Sequence, residues 1–354
     1  MRRLVVAFTI VVAIGISSGT SGFAVASTRT ADASAESLQA DLNADFNNDG
    51  YADLAVGAAG ESIGSIVNAG AVNVLYGSAT GSTGTGSQIF TQNTAGVGST
   101  AEAGDTFGNA LGVGDFNNDG FADLAVGVPF ESIGSRHEVG AVNVLYGSAA
   151  GLTGTGSQFF TQDSSGVGST AEAGDFFGST LGVGDFDNDG FADLAVGVPF
   201  ESIGSSVSAG AVNVLLGSAA GLSGTGSQFF TQNSSGVGSS AQTNDSFGFA
   251  LAAGDFDNDG FADLAVGVPF ESIGSLPEVG AVNVLPGSAA GLTGTGSLFF
   301  TQDSPGVGSN AETNDSFGFA LATSGAQGSP AAQASAALAA TPTSNFSQTK
   351  LADR

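Results

Sequence analysis

The sequence predicts an all-β protein made of four equal units, and three observations carry that expectation. The pattern Asp-Phe-Asn/Asp-Asn-Asp-Gly-Phe/Tyr-Ala-Asp-Leu-Ala-Val-Gly begins at Asp45, Asp115, Asp185 and Asp255, returning every 70 residues without insertion. A fixed period of this kind marks a repeated structural module. The flanking segments alternate large with small side chains at the two-residue period of a strand. A 3.6-residue apolar period is missing, and 57 glycines would penalise helix wherever it was attempted.

Taken in order, residues 1–26 read as a secretory signal peptide. Arg2 and Arg3 precede the apolar run Leu4–Ile16, and Ala24-Val25-Ala26 offers a small-x-small cleavage site. That run is too short to span a bilayer as a helix and no longer one follows, so an exported protein with no membrane span is expected. Residues 27–37 are rich in Ala, Ser and Thr and are expected to form a flexible leader. The repeats occupy residues 38–322. Residues 323–354, rich in Ala, Ser, Thr and Pro, are expected to be a disordered tail.

Each unit predicts four short antiparallel strands. Between Phe107 and Phe116, the large residues Phe107, Leu111 and Val113 alternate with Gly108, Ala110, Gly112 and Gly114, giving a strand whose small face admits a neighbouring sheet. A second strand covers Ala122–Pro129, with Leu124, Val126 and Val128 sharing one face. Gly140–Tyr146 is the third. After a Gly/Ser/Thr loop, Ser157–Gln162 carries Phe159 and Phe160 as the fourth. Four strands per unit match one sheet of a propeller blade. With 27 Phe and no Trp, repeated Phe positions are expected to form the layers between blades.

The repeated loop between strands one and two has the residue order that wraps a calcium ion. Counting Asp115 as position one, Asn117 stands at three, Asp119 at five and Asp123 at nine. Gly120 at six permits the sharp bend, and the Phe121 carbonyl at seven adds a further oxygen. An EF-hand is excluded, because it needs Glu at position twelve and flanking helices, whereas Val126 stands there inside a strand pattern. One such loop alone would equally suit an exposed turn. Four copies, varying only between Asp and Asn at the third position and Tyr and Phe at the seventh, favour the metal reading.

Charge points the same way. The chain carries 33 acidic residues against 6 basic ones, a formal net charge of −27. That balance excludes nucleic acid as a partner and disfavours anionic membranes. Fourteen of the acids lie in the four loops, where their mutual repulsion calls for a cation. There is no cysteine, so neither disulfides nor thiolate metal sites contribute.

Phe107-Gly108 and Gly140-Ala141-Val142, bracketing Asp-x-Asn/Asp-x-Asp-Gly-x-x-Asp, resemble the FG-GAP repeat of integrin α-chain propellers and of many secreted bacterial proteins. The resemblance covers Leu38 to about Ala322. It implies a β-propeller of four-stranded blades with about four calcium ions along one rim. Matched residue by residue, the ligands are Asp45, Asn47, Asp49, Tyr51 and Asp53; Asp115, Asn117, Asp119, Phe121 and Asp123; Asp185, Asp187, Asp189, Phe191 and Asp193; Asp255, Asp257, Asp259, Phe261 and Asp263. The seventh position acts only through its backbone oxygen.

Integrin propellers have seven blades and this chain has four units, so a closed ring and an open arc both stand as expectations, the arc with self-association. The terminal segment Phe317–Leu321 repeats strand one and is expected to close the ring by completing the first blade; the alternative is that Leu38–Ala44 supplies that strand.

Catalytic residues are not expected. His137, the single histidine, stands where sister units have Val67, Val207 and Pro277, as an exposed variable-loop residue would. The series Glu61, Glu131, Glu201, Glu271 and Asp105, Asp175, Asp245, Asp315 recur in every unit and so point to architecture. They would cap turns, bind backbone amides or support the metal loops. The favoured function is a calcium-stabilised extracellular module that binds a protein or carbohydrate, or serves adhesion. A calcium-assisted hydrolase or lyase and a self-assembling envelope protein are the alternatives.

Overall fold

The computed structural model describes residues 44–323. The expected signal peptide, the leader, all but Ala44 of the first unit's strand one and the tail beyond Thr323 lie outside the described residues. Fifteen strands and no helix make up the described part.

Four antiparallel sheets follow one another in chain order. The first contains β1 (Leu54–Ala58), β2 (Ala71–Leu75) and β3 (Gln88–Phe90). The second contains β4 (Ala110–Gly114), β5 (Asp123–Val128), β6 (Ala141–Tyr146) and β7 (Thr153–Phe160). The third repeats it as β8 (Thr180–Gly184), β9 (Asp193–Val198), β10 (Ala211–Leu216) and β11 (Ser223–Phe230). The fourth is β12 (Ala250–Gly254), β13 (Asp263–Val268), β14 (Ala281–Leu285) and β15 (Leu298–Phe300). Each sheet is a meander, with register such as Val113 opposite Leu124 and Leu124 opposite Leu145. The expected strands are found with ends trimmed by a few residues, except that β7 and β11 begin earlier, at Thr153 and Ser223.

The apolar core lies between sheets. Leu124, Val126 and Val128 of the second sheet pack with Val72, Val74 and Phe90 of the first, while Val142, Val144 and Phe160 pack on the third. As expected, Phe46, Phe107, Phe116, Phe177, Phe186 and Phe247 are fully buried in these layers. The strand-one glycines do what the alternation implied: a Cβ at Gly112 would press on Val183, so the bare backbone lets β4 approach β8 closely.

The two family motifs meet at every junction. Phe107, Phe177, Phe247 and Phe317 form parallel bridges with Gly70, Gly140, Gly210 and Gly280 of the preceding unit. In each case the Phe amide donates to the carbonyl just before that glycine, as from Phe177 N to Val139 O at 3.0 Å.

The terminal repeat of this motif corrects one expectation. Phe317 bridges to Gly280 and donates to Val279 O at 2.9 Å, and the Gly318 carbonyl abuts Gly267. The segment docks on the fourth sheet as Phe107 docks on the first, but it pairs with no strand of the first sheet, which is β1-β2-β3 alone among the described residues, so it does not complete the first blade. No sheet closes on itself, and the four blades form an open arc. The first sheet shows three strands among the described residues.

Gly140 tests the clasp directly. Its φ is +83°, and a Cβ there would collide with the backbone of Phe177, whereas Gly174 has φ +86° and open space around it. Gly174→Ala should cost roughly 1 kcal/mol through backbone conformation alone. Gly140→Ala should cost clearly more in urea unfolding, because backbone atoms of the next blade must move; equal losses would show that this contact is not tight.

Candidate metal centres

Each acidic loop is shaped by two residues with positive φ. Asn48, Asn118, Asn188 and Asn258 at position four have φ of 52°, 52°, 54° and 60°, and Gly50, Gly120, Gly190 and Gly260 at position six have φ between 86° and 95°. Asn tolerates this region better than most residues and Gly adopts it freely. The chain thus doubles back and carries its side-chain oxygens inward.

The first-position Asp accepts amides from positions five and six. Asp115 Oδ1 takes Asp119 N at 3.1 Å and Oδ2 takes Gly120 N at 2.9 Å, as do Asp45, Asp185 and Asp255 in their own loops. The third-position oxygen of Asn47, Asn117, Asp187 and Asp257 accepts the fifth-position amide. Position five is exposed in every copy, and Asp49, Asp119, Asp189 and Asp259 each accept the amide of position seven.

The ninth-position Asp reaches furthest. Asp123 Oδ2 accepts Phe116 N at 3.0 Å and Oδ1 accepts Gly147 N at 2.9 Å, so one carboxylate joins the loop to the end of β6. Asp53, Asp193 and Asp263 repeat both bonds. Neighbouring loops are also tied together. Ala122 N donates to Asp45 O, Ala192 N to Asp115 O and Ala262 N to Asp185 O, at 3.0 to 3.1 Å.

In the third loop Asp185, Asp187 and Asp193 offer carboxylate oxygens that lie within 4.8 Å of one another; Asp255, Asp257 and Asp263 do so in the fourth. The first two loops share the hydrogen-bond pattern with Asn47 and Asn117 at position three. The fifth-position acids stand outside the convergent triads. Tyr51 exposes its side chain, and Phe121, Phe191 and Phe261 are half-buried. The donor set is entirely oxygen, the type that hard divalent cations take.

These carboxylates have no basic partner. Arg136 is the only Lys or Arg among residues 44–323, and it pairs with Asp163. Burial pushes Asp123 and Asp193 up to about 8, with nearby Asp charges adding and the two backbone amides opposing; Asp185 is pushed to about 6 for the same leading reason. A divalent cation would relieve that penalty by favouring the ionised form.

The second acidic series turns out to be a junction device. Gln92 Nε2, from the first unit, donates to Glu131 Oε2 of the second and to Ser99 Oγ; Gln162 with Glu201 and Gln232 with Glu271 repeat this. Asp105, Asp175 and Asp245 accept the amide three residues before them, as turn caps. None of these hydrogen-bond partners belongs to an acidic loop. His137 is exposed, its Nδ1 3.5 Å from Ser132 Oγ.

The junction carboxyls predict a pH response opposite to that of an ion pair. Burial first, and the neighbouring Asp second, push Glu131 from 4.5 up to about 8 and Glu201 and Glu271 to about 7. A folded-state value above the unfolded one gives stability that is full below about pH 4.5 and lost as pH rises through 7 to 8. At saturating calcium the melting temperature should fall from pH 5.5 to 8.5. In the Glu131→Gln, Glu201→Gln, Glu271→Gln triple variant the fall should be distinctly shallower; an identical slope would refute the assignment.

The FG-GAP repeat family matches residues 40–75, 107–145, 177–215 and 247–285, one match for each sheet. Mouse phosphatidylinositol-glycan-specific phospholipase D is 36% identical over 161 residues, covering 45% of this chain and 18% of that protein. Integrin alpha-PS5 of Drosophila melanogaster is 34% identical over 128 residues, 36% of this chain and 11% of its own. Integrin alpha-3 of Cricetulus griseus is 38% identical over 104 residues, 29% and 9%. The chain thus spans less than a fifth of these relatives' length. A rhamnogalacturonan lyase of Bacillus licheniformis aligns over 72% of this chain and 48% of its own, at 14% identity and a TM-score of 0.33, a likeness too slight to carry ring closure or an activity. With a family match on every sheet and the Phe-Gly and Gly-Ala-Val motifs joined at each junction, the chain belongs to the FG-GAP repeat family and resembles the integrin α-chain propeller.

Proposed function

We propose that this chain is a secreted propeller module that holds about four calcium ions and binds an extracellular protein or carbohydrate, in the manner of an adhesion module. The observation that supports it best is the convergence of all-oxygen triads in the third and fourth loops, each with a buried ninth-position Asp, and no free basic side chain among residues 44–323 to neutralise them. The ligands in each loop would be the side chains at positions one, three, five and nine and the carbonyl at seven: Asp185, Asp187, Asp189, Phe191 and Asp193 in the third loop, with their equivalents elsewhere. Calcium supplies charge neutralisation there.

The residues themselves do the structural part. Asp193 joins β9, the loop and the end of β10, and the Asp185 carbonyl receives the next blade through Ala262 N. Holding the loop in its ionised form therefore orders both the blade and its junction. Extracellular sites of this class bind with Kd on the order of 10⁻⁴–10⁻³ M. At free calcium tenfold above Kd, linkage gives roughly 1.4 kcal/mol per site, or about 5 to 6 kcal/mol for four. That is comparable with the whole stability of many domains.

The phospholipase named among the relatives shares under a fifth of its length with this chain, so its reaction stays a property of that protein. The exported location rests on residues 1–26, which lie outside the described part.

Calorimetric titration should count about four calcium ions, and a chelator should lower the melting temperature reversibly. Asp187→Ala, at a half-buried position whose one backbone bond lies inside its own loop, should leave the calcium-free melt nearly unchanged while removing about a quarter of the calcium-dependent gain. A melt insensitive to chelator, or an unaltered ion count in Asp187→Ala, would reject the calcium reading. Glycan and matrix-protein arrays, probed with calcium present, test the binding role separately; no ligand on either would reject that role.

A further inference from the structure

The two ends of the arc are the two halves of a junction that the chain builds three times within itself. At each internal junction a Phe at loop position two is covered by the following blade, so Phe46, Phe116 and Phe186 are fully buried; Phe256, their equivalent in the last blade, is 46% exposed. On the opposite side of each junction a Leu and a Val from strand two face the preceding blade. Leu124, Val126, Leu194, Val196, Leu264 and Val266 are fully buried, while Leu54 and Val56 of the first blade are 50% and 41% exposed.

The polar part of the junction changes at the same ends. Gln88, Gln158 and Gln228 donate across to the carbonyls of Leu152, Leu222 and Leu292. Their equivalent in the last blade is Leu298, 54% exposed, and on the receiving side Ile89 stands 58% exposed where Phe159 and Phe229 pack into cores. An apolar residue at an exposed site whose sisters carry Gln extends the bare apolar surface. The backbone is complementary too: the Asp45, Asp115 and Asp185 carbonyls each receive the amide of an Ala in the next blade, and Ala52 is the first blade's exposed counterpart of those donors.

We propose that a second copy of this chain covers these faces head to tail, its first sheet seated on the fourth sheet of its neighbour beside the Phe317–Thr323 segment that already lies there. The contact is heterologous, with different surfaces on the two partners, so it either closes into a ring of whole chains or continues as a filament. The inference goes beyond the binding role proposed above and is independent of the calcium assignment.

Sedimentation of the full chain across a concentration series should show association, and Phe256→Asp or Leu54→Asp should each abolish it over that series. Both positions are exposed, so circular dichroism and melting should match the parent; the milder Phe256→Ser and Val56→Thr replace them if folding is lost. Mixing the two Asp variants restores one sound junction and should give a 1:1 heterodimer that grows no further. A full chain that stays monomeric at about 100 μM would overturn the proposal, as would continued self-association of Leu54→Asp alone, which would indicate a fourth-sheet to fourth-sheet contact.

Discussion

No sheet of this protein can bury its own apolar faces, and that constraint organises everything else. The second sheet sends Leu124, Val126 and Val128 toward the first and Val142, Val144 and Phe160 toward the third. Both faces are apolar, so a single blade would expose one or both to water at a cost of about 25 cal/mol per Å². Stability is then carried mainly by junctions, as in other repeat architectures. The junctions are also where the backbone is most tightly specified. Gly140 and Gly210 are positions where a side chain would strike the next blade, and the buried Phe177 and Phe247 fill the space alongside.

The acidic loops are part of that junction and not ornaments on a rim. Asp123 fixes three backbone segments with one carboxylate, while the carbonyl of Asp115, in the same loop, receives Ala192 of the next blade. A charge imbalance in the loop is therefore felt by two sheets at once. With Arg136 alone available as a positive side chain among the described residues, and already engaged by Asp163, the imbalance has no remedy within residues 44–323. The junction carboxyls Glu131 and Asp105 face the same shortage and meet it differently. They sit beside a Gln amide, and burial holds Glu131 toward its neutral form.

Most of this was legible in the sequence because the period is exact in length and each unit repeats its chemistry. Strand positions followed from the large and small alternation around Leu111 and Val126, and the loops followed from the spacing of Asp, Asn and Gly. Two things were not legible. Whether Phe317–Leu321 completes the first blade depends on whether it also pairs with β1, and the motif, which docks on the preceding blade in either case, does not say. The pairing of Gln92 with Glu131 crosses a unit boundary, where spacing within a unit says nothing; Gln92, Gln162, Gln232 and Gln302, also 70 apart, were the available signal. Asn118 is no expected ligand, yet the loop needs its left-handed backbone.

Near-identity of the units also narrows where any specificity of the proposed binding role could reside. Four equivalent loops cannot distinguish one partner from another, because any contact one makes the others could make as well. The columns that depart from the repeat can. Ile66-Val67, Arg136-His137, Ser206-Val207 and Leu276-Pro277 occupy the same tight turn, closed by the same bridge to Ile63, Ile133, Ile203 and Ile273. The backbone there is constant and the side chains are not. Arg136 reaches the Ala171 carbonyl at 2.6 Å, and Ser206 makes the equivalent bond to Ala241 at 3.0 Å. Arg136 places the one positive side chain of residues 44–323 on an otherwise acidic surface, beside the one histidine. Under the binding role proposed above, that turn is one place where a ligand could tell the second blade from its sisters, on a backbone that the same bridge holds in every unit.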